Sequence, residues 1–160
     1  MFRLLTTITL LVFAHSAIAQ SIEIKGLHVG MPKAEVQEKF PTWKDFTIAG
    51  VRSKFVLTPV SIEYRDDKID KLTFFFDSSS FETVLGAIKE KYPETICKST
   101  QVRNAMGATF EQIQCLLKGG ESDLLLSRYI SDIRTSMLAV ASKKSQEEQA
   151  EKGKQRKKDI

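Results

Sequence analysis

Residues of the types that carry chemistry are few in this chain of 160 residues, which has two cysteines and two histidines. Cys97 and Cys115 lie too far apart for the C-x-x-C spacing of a redox-active pair. Their spacing also matches none of the common zinc-ligand patterns. In an exported chain, for which the N-terminal evidence is given below, an even number of cysteines predicts a structural disulfide, which stabilises a fold by about 3 kcal/mol. We therefore expect a Cys97–Cys115 bridge, with no metal site and no cofactor.

His28 is the one histidine outside the N-terminal segment, so a histidine base would have to be this residue. The sequence places no nucleophile and orienting acid beside it. Asp66 and Asp67 could suggest acid–base work or calcium binding, but they fall in a predicted hairpin turn, where Asp bonds to its own backbone. Gly119-Gly120 lacks the spaced glycines of a phosphate-binding loop. We expect no catalytic residues and no enzyme; a hydrolase of unknown substrate is the alternative.

The N-terminal residues 1–19 have the pattern of an export signal. Arg3 is followed by the apolar run LLTTITLLVFA, and then by Ala17 and Ala19 at the small positions that a signal peptidase requires. The run is shorter than the roughly 20 apolar residues of a membrane-spanning helix. We predict cleavage between Ala19 and Gln20, and a periplasmic or secreted protein that is soluble after cleavage.

Charge divides the remainder of the chain into a neutral domain and a basic tail. Residues 20–142 hold equal numbers of basic and acidic side chains, whereas residues 143–160 hold seven basic and four acidic ones. The pI near 9.0 therefore comes from the tail and does not indicate specific nucleic-acid binding. We expect the tail to be disordered or a frayed helix. Its basic residues could make a weak contact with an anionic surface, so an envelope-tethered scaffold is a second alternative.

The domain itself shows helical and strand periodicity in alternation. The corner GLHVGMPKAEV (26–36) opens a short helix that ends at Phe40-Pro41. A second helix over residues 81–92 ends at Tyr92-Pro93. Strand signals follow each helix. After the first helix they are FTIAG (46–50), FVL (55–57), VSIEYR (60–65) and IDKLTFFFD (69–77); after the second they cover 108–117, 123–130 and 136–142.

This order predicts an α+β protein made of two αβββ units. Two helices would pack on a curved antiparallel sheet, and a flexible basic C-terminal tail would follow. Residues 20–142 form a single domain in this interpretation, because about 120 residues are enough for one core and too few for two.

A short stretch of the corner resembles a known family. Gly30, Met31, Glu35 and Val36 match the Gly-Met-Ser/Thr-x-x-Glu/Gln-Val signature that opens the first helix in small exported proteins of the SmpA/OmlA (BamE) type. Pro32 stands where that family has a hydroxyl residue. The αβββ duplication resembles the β-lactamase-inhibitor-protein-like fold. The resemblance implies a binding, assembly or inhibitor module, without the lipid-attachment cysteine of the best-known members.

Alternation along the strands divides the predicted sheet into a core face and a solvent face. The expected core residues are Ile62, Leu72, Phe74, Ile113, Leu117, Leu138 and Val140. The solvent face would carry Glu63, Arg65, Thr73, Phe75, Gln112, Gln114, Leu116 and Tyr129. Aromatic and long polar side chains are typical of recognition surfaces. We therefore expect a protein-binding module whose partner is an envelope or secreted protein of unknown identity.

Overall fold

The computed structural model describes residues 21–55, 59–103, 106–130 and 132–158. The predicted signal segment and its cleavage site, Ala19 and Gln20, lie outside the described residues, as does most of the predicted FVL strand. The helices are α1 (Lys33–Lys39), α2 (Phe81–Lys91) and α3 (Lys143–Lys158), with a 3-10 turn at Ser78–Ser80. The protein is α+β, as the sequence predicts.

Two hairpins of very short strands precede the main sheet in the chain, and neither is part of it. These strands are β1 (Glu23–Ile24), β2 (Leu27–His28), β3 (Thr47–Ile48) and β4 (Val51–Arg52). The main sheet contains β5 (Ser61–Arg65), β6 (Lys68–Asp77), β7 (Ile96–Arg103), β8 (Thr109–Lys118), β9 (Ser122–Ser127) and β10 (Thr135–Ser142). It is antiparallel, with the order β5-β6-β10-β9-β8-β7.

One face of this sheet is packed against α1 and α2. Alternate residues of the strands supply Leu72, Phe74, Phe76, Leu124, Leu126, Leu138 and Val140, all at most 5% exposed. The helices contribute Val36, Phe81, Val84 and Ile88 to the same cluster. The predicted core is confirmed, although Ile62 and Ile113 are only partly buried at its edge. Apolar residues at every second position of these strands made this face readable from the sequence.

The corner before α1 is fixed by backbone pairing with the β5–β6 hairpin. The Gly30 N–H donates to the Ile69 carbonyl (2.8 Å), and the Ile69 N–H donates to the Met31 carbonyl (2.9 Å). Gly30 has φ +87°, a conformation that favours glycine. Pro32 precedes the first helical residue and supplies no side-chain cap. The corner is thus a structural entry to the domain, where α1 is held beside β6.

The expected division into two αβββ units is not confirmed. The segment after α1 gives two strands to the main sheet, whereas the segment after α2 gives four. The additional strand is β7, for which the sequence pattern predicts no strand. The tail forms a third helix, α3. Of the two expectations for the tail, disorder or a frayed helix, the structure has the helical one.

Candidate binding face of the sheet

The face of the main sheet that points away from α1 and α2 is called the outer face here. Its most apolar part crosses three strands, because the pairing places Ile96 beside Leu116 and Leu116 beside Leu125. Ile96 is 69% exposed and Leu116 is 39% exposed. We name Ile96, Leu116 and Leu125 the outer apolar row.

A groove of about 510 Å³ runs along this row. Its polar rim is formed by Glu94, Lys98, Gln114 and Lys118. An apolar floor with a polar rim is the usual anatomy of a protein-binding surface. The rim holds two lysines and one glutamate, so the groove has no strong preference for one sign of charge.

The β10 side of the outer face is bordered by α3, whose Gln146 and Gln149 line a cavity together with Leu116 and Leu125. The Ser142 hydroxyl accepts the Ser145 N–H (3.0 Å), which caps the first turn of the helix. The Gln146 side-chain amide then donates to the Ala141 carbonyl (3.0 Å), and the Ser142 hydroxyl donates to Asp70. These contacts hold the first turns of the basic tail against β10 and β6.

An ion-pair network attaches α3 to the edge strand β5. Arg65 donates to both carboxylate oxygens of Glu148 (2.7 and 2.8 Å) and lies 3.2 Å from Asp70. The hydrogen bonds from Arg65 lower the pKa of Glu148, and the same bonds raise the pKa of Arg65. Arg65 therefore lies at the predicted face, but its charge is directed to the tail helix.

Three of the eight predicted face residues are exposed: Glu63, Gln114 and Leu116. Glu63 accepts from Lys71 (2.6 Å) on the neighbouring strand. Gln114 and Leu116 belong to the groove beside the outer apolar row. These two residues are the part of the prediction that coincides with an accessible surface.

Thr73 and Phe75 lie on the outer face but are covered by their surroundings. Thr73 is 6% exposed between its strand neighbours, Ser61 and Ala139. The Phe75 ring meets the Phe55 ring edge to face, with 5.5 Å between centroids. The Lys54 N–H also donates to the Phe75 carbonyl (2.8 Å). The segment before β5 thus covers Phe75, which does not form the centre of an open patch.

Gln112 and Tyr129 are joined to one another. The Gln112 amide donates to the Ser127 hydroxyl (2.8 Å) and to the Tyr129 carbonyl (3.0 Å). The Tyr129 ring contacts Phe110 and lies 5.5 Å from the Arg128 guanidinium carbon. Both residues are partly buried, so they shape the end of the face more than they offer free polar groups.

Sequence reasoning missed Ile96, Leu125 and Lys98 as face residues. The β-branched residues Ile96, Thr100 and Val102 recur at even spacing, which is the signal that could have identified β7. Leu125 falls within the apolar run DLLLS, where alternation alone does not show which leucine faces outward.

The residues that the sequence offered for chemistry, His28, Asp66 and Asp67, lie in a short strand and a hairpin turn. His28 is partly exposed at the end of the short strand β2, and its carbonyl accepts the Met31 N–H (3.2 Å). Asp66 and Asp67 have φ of 51° and 55°, as a tight type I′ hairpin turn requires. Among the described residues, no group of three or more metal-ligating side chains could hold an ion.

The predicted Cys97–Cys115 disulfide is present, and it joins directly opposed residues of β7 and β8. Such a bond is compatible with an oxidising, exported compartment. Over the described part of the chain, none of the helices has the length and apolar character needed to cross a bilayer. Comparison with protein-family models, curated proteins and solved structures finds no match to the chain.

Proposed function

We propose that this chain is an exported, non-enzymatic protein-binding module of the assembly or inhibitor type, similar in role to the BamE-like proteins that its Gly30-Met31 corner resembles. After removal of residues 1–19 it would be a soluble periplasmic or secreted protein. It acts through the outer face of its sheet on an envelope or secreted protein partner.

The observation that carries this proposal is the outer apolar row, with its groove. Among the described residues, seven large apolar side chains are exposed, and four of them belong to β7, β8 and their connection: Ile96, Val102, Met106 and Leu116. Single exposed apolar residues are ordinary, but a contiguous row with a polar rim is typical of an interaction site. A few residues at the centre of an interface usually supply most of its binding free energy.

The experiment is crosslinking in the intact envelope, with a photoreactive residue at Gln114 on the groove rim. The protein attached there should be a specific partner, and Leu116→Asp should reduce the yield at least about tenfold, since a charge in the apolar centre opposes burial. Leu116 is 39% exposed, so this change should leave the melting temperature nearly unaltered.

Ile133→Asp is the matched control, because Ile133 is 48% exposed and lies outside the groove. It introduces the same charge at a similar exposure and should leave the crosslink unchanged. The proposal would be contradicted if Leu116→Asp, like Ile133→Asp, left the crosslink yield at the wild-type level. Crosslinks spread over many abundant proteins would also contradict it. A matching loss with Ile133→Asp would mean that charge in general, rather than the groove, controls capture.

A second candidate role is a scaffold tethered through α3. Residues 150–155 of this helix are exposed, and the described part carries Lys152 and Lys154 beyond the contacts made by Gln146 and Glu148. A helix that projects from the domain could place its basic side chains on anionic lipid, at about 1 kcal/mol for each residue near the surface. Deletion of residues 150–160 should then abolish sedimentation with anionic vesicles at low salt, and unchanged sedimentation would exclude tethering.

A further inference from the structure

The two edges of the main sheet differ in how they are protected. The β5 edge is a strand of five residues with a register shift between Glu63 and Tyr64, and it carries charged side chains bound to Lys71 and Glu148. Short length, bulges and charges are common devices against edge-to-edge pairing. The β7 edge has eight residues, Ile96–Arg103, and every one except Cys97 is exposed.

The main-chain groups of β7 that point away from the sheet can be identified from the pairing. Cys97 and Cys115 are opposed with only 3.9 Å between Cα atoms, which marks a pair without mutual main-chain hydrogen bonds. The Arg128 N–H donates to the Ile113 carbonyl (2.9 Å), so odd-numbered residues of β8 bond to the β9 side. The outward main-chain groups are therefore those of Cys97, Ser99, Gln101 and Arg103.

The sequence of β7 is complementary to itself about Ser99. If two copies of ICKSTQV pair antiparallel with Ser99 opposite Ser99, then Cys97 lies opposite Gln101 and the outward groups form roughly six main-chain hydrogen bonds. On the outer face, Ile96 of one copy then meets Val102 of the other, twice. These side chains are 69% and 40% exposed in the single chain.

Other registers lose this match. A shift by one residue would oppose outward groups of one strand to inward groups of the other, since the main-chain pattern repeats every two residues. A shift by two residues toward the C-terminus keeps the outward main-chain groups opposed, but it places Lys98 opposite Val102 and leaves Ile96 beyond the strand, so the two apolar pairs are lost. Lys98 faces Thr100 in the register centred on Ser99, so directly opposed positions carry no like charges.

We propose that the partner of the β7 edge is a second copy of this chain, in a two-fold symmetric dimer that continues the sheet through antiparallel β7 strands centred on Ser99. The Cys97–Cys115 disulfide keeps the strand attached to β8 and ready to pair. An edge contact alone buries less surface than the roughly 1,600 Å² of a standard interface, so the dimer is weak and concentration-dependent. The pairing also brings both outer apolar rows to one side of the joined sheet.

Sedimentation velocity over a wide concentration range, with the disulfide intact, tests the dimer. The wild-type protein should shift from monomer to dimer as its concentration rises toward about 1 mM. A dissociation constant in the millimolar range is detectable at such concentrations. Ser99→Pro removes an outward N–H together with the hydroxyl bond to Glu111, and proline is found in edge strands, so this change should weaken association at least about tenfold. Ser99→Ala is the control: it loses the same hydroxyl bond to Glu111 but keeps the N–H, and should dimerise like the wild type.

Two further measurements test the register of the proposed strand pairing. Val102→Lys, which lies outside the groove, should also weaken association about tenfold, by placing a charge against Ile96. Amide exchange of Ser99 and Gln101 should slow as protein concentration rises, while that of Lys98 and Thr100, bonded to β8, should not change. A monomer at every concentration, or a dimer that Ser99→Pro leaves intact, overturns the inference, and neither result affects partner capture at Leu116.

Discussion

The two ends of the main sheet are built by different means. At the β5–β6–β10 end, apolar side chains pack on one face while Phe55 and α3 border the other, and Arg65 connects the edge strand to Glu148. At the β7–β8 end, most of the described side chains in residues 98–103 and 106–112 are exposed, and a disulfide attaches the edge strand. The edge strand β7 is therefore held by main-chain pairing with β8 and by a covalent bond, with little side-chain burial of its own.

Under the proposed function, this difference would separate stability from recognition. A strand that buries little contributes little to folding, so its side chains are free to vary with the requirements of a partner. The disulfide compensates by restricting the unfolded chain, which needs no apolar contact in the folded state. The exposed end can then present Ile96 and Leu116 without loss of order.

The strongest test of the comparison is removal of a large core side chain at the buried end. Phe76 is fully buried in β6, and Phe76→Ala should lower the free energy of unfolding by about 3–5 kcal/mol. Val102→Ala in β7 should change it by no more than about 0.5 kcal/mol, since Val102 is 40% exposed. Urea denaturation measures both, and similar losses from the two changes would show that the ends are not distinct.

The disulfide gives the next largest effect and acts at the other end. Cys97→Ala combined with Cys115→Ala should cost about 3 kcal/mol of unfolding free energy, because the unfolded chain loses its cross-link. The amides of Thr100 and Gln112 should also exchange faster relative to those of β6. A loss well below about 1 kcal/mol, with exchange unchanged, would show that main-chain pairing alone holds β7 in place.

Elements that bury one regular face could be predicted from the sequence. Leu72, Phe74 and Phe76 recur at every second position of β6, Val84 and Ile88 recur at helical spacing, and Asp66-Asp67 forms the hairpin turn expected there. In each case local preference and tertiary burial agree, so the periodicity carries the information.

The rest of the candidate site could not be predicted because it depends on contacts distant in sequence. The strand β7 buries little on either face, so ICKSTQVR lacks the strong alternation of a packed strand. The cover over Phe75 comes from Phe55, and the docking of α3 depends on Arg65, 83 residues before Glu148. A helix that is polar on all sides gives no apolar stripe by which its docking surface could be recognised.

The smallest effect concerns the ion pair that attaches α3 to the β5 edge. Glu148→Gln removes the charge but keeps the shape, so it should lower the melting temperature slightly near pH 7 and increase proteolysis within α3. Glu148 has a lowered pKa in the folded protein because Arg65 donates hydrogen bonds to it. A carboxylate of this kind contributes stability above its unfolded pKa of about 4.3 and loses that contribution as pH falls through the folded value. The difference in melting temperature between wild type and variant should therefore be constant from pH 7 to about pH 5 and disappear at more acidic pH.

Glu147→Gln is the control, since it changes the charge of the neighbouring residue without touching the Arg65 pair. If both variants respond to pH alike, net charge on the tail helix, rather than the Arg65–Glu148 pair, protects this end of the sheet.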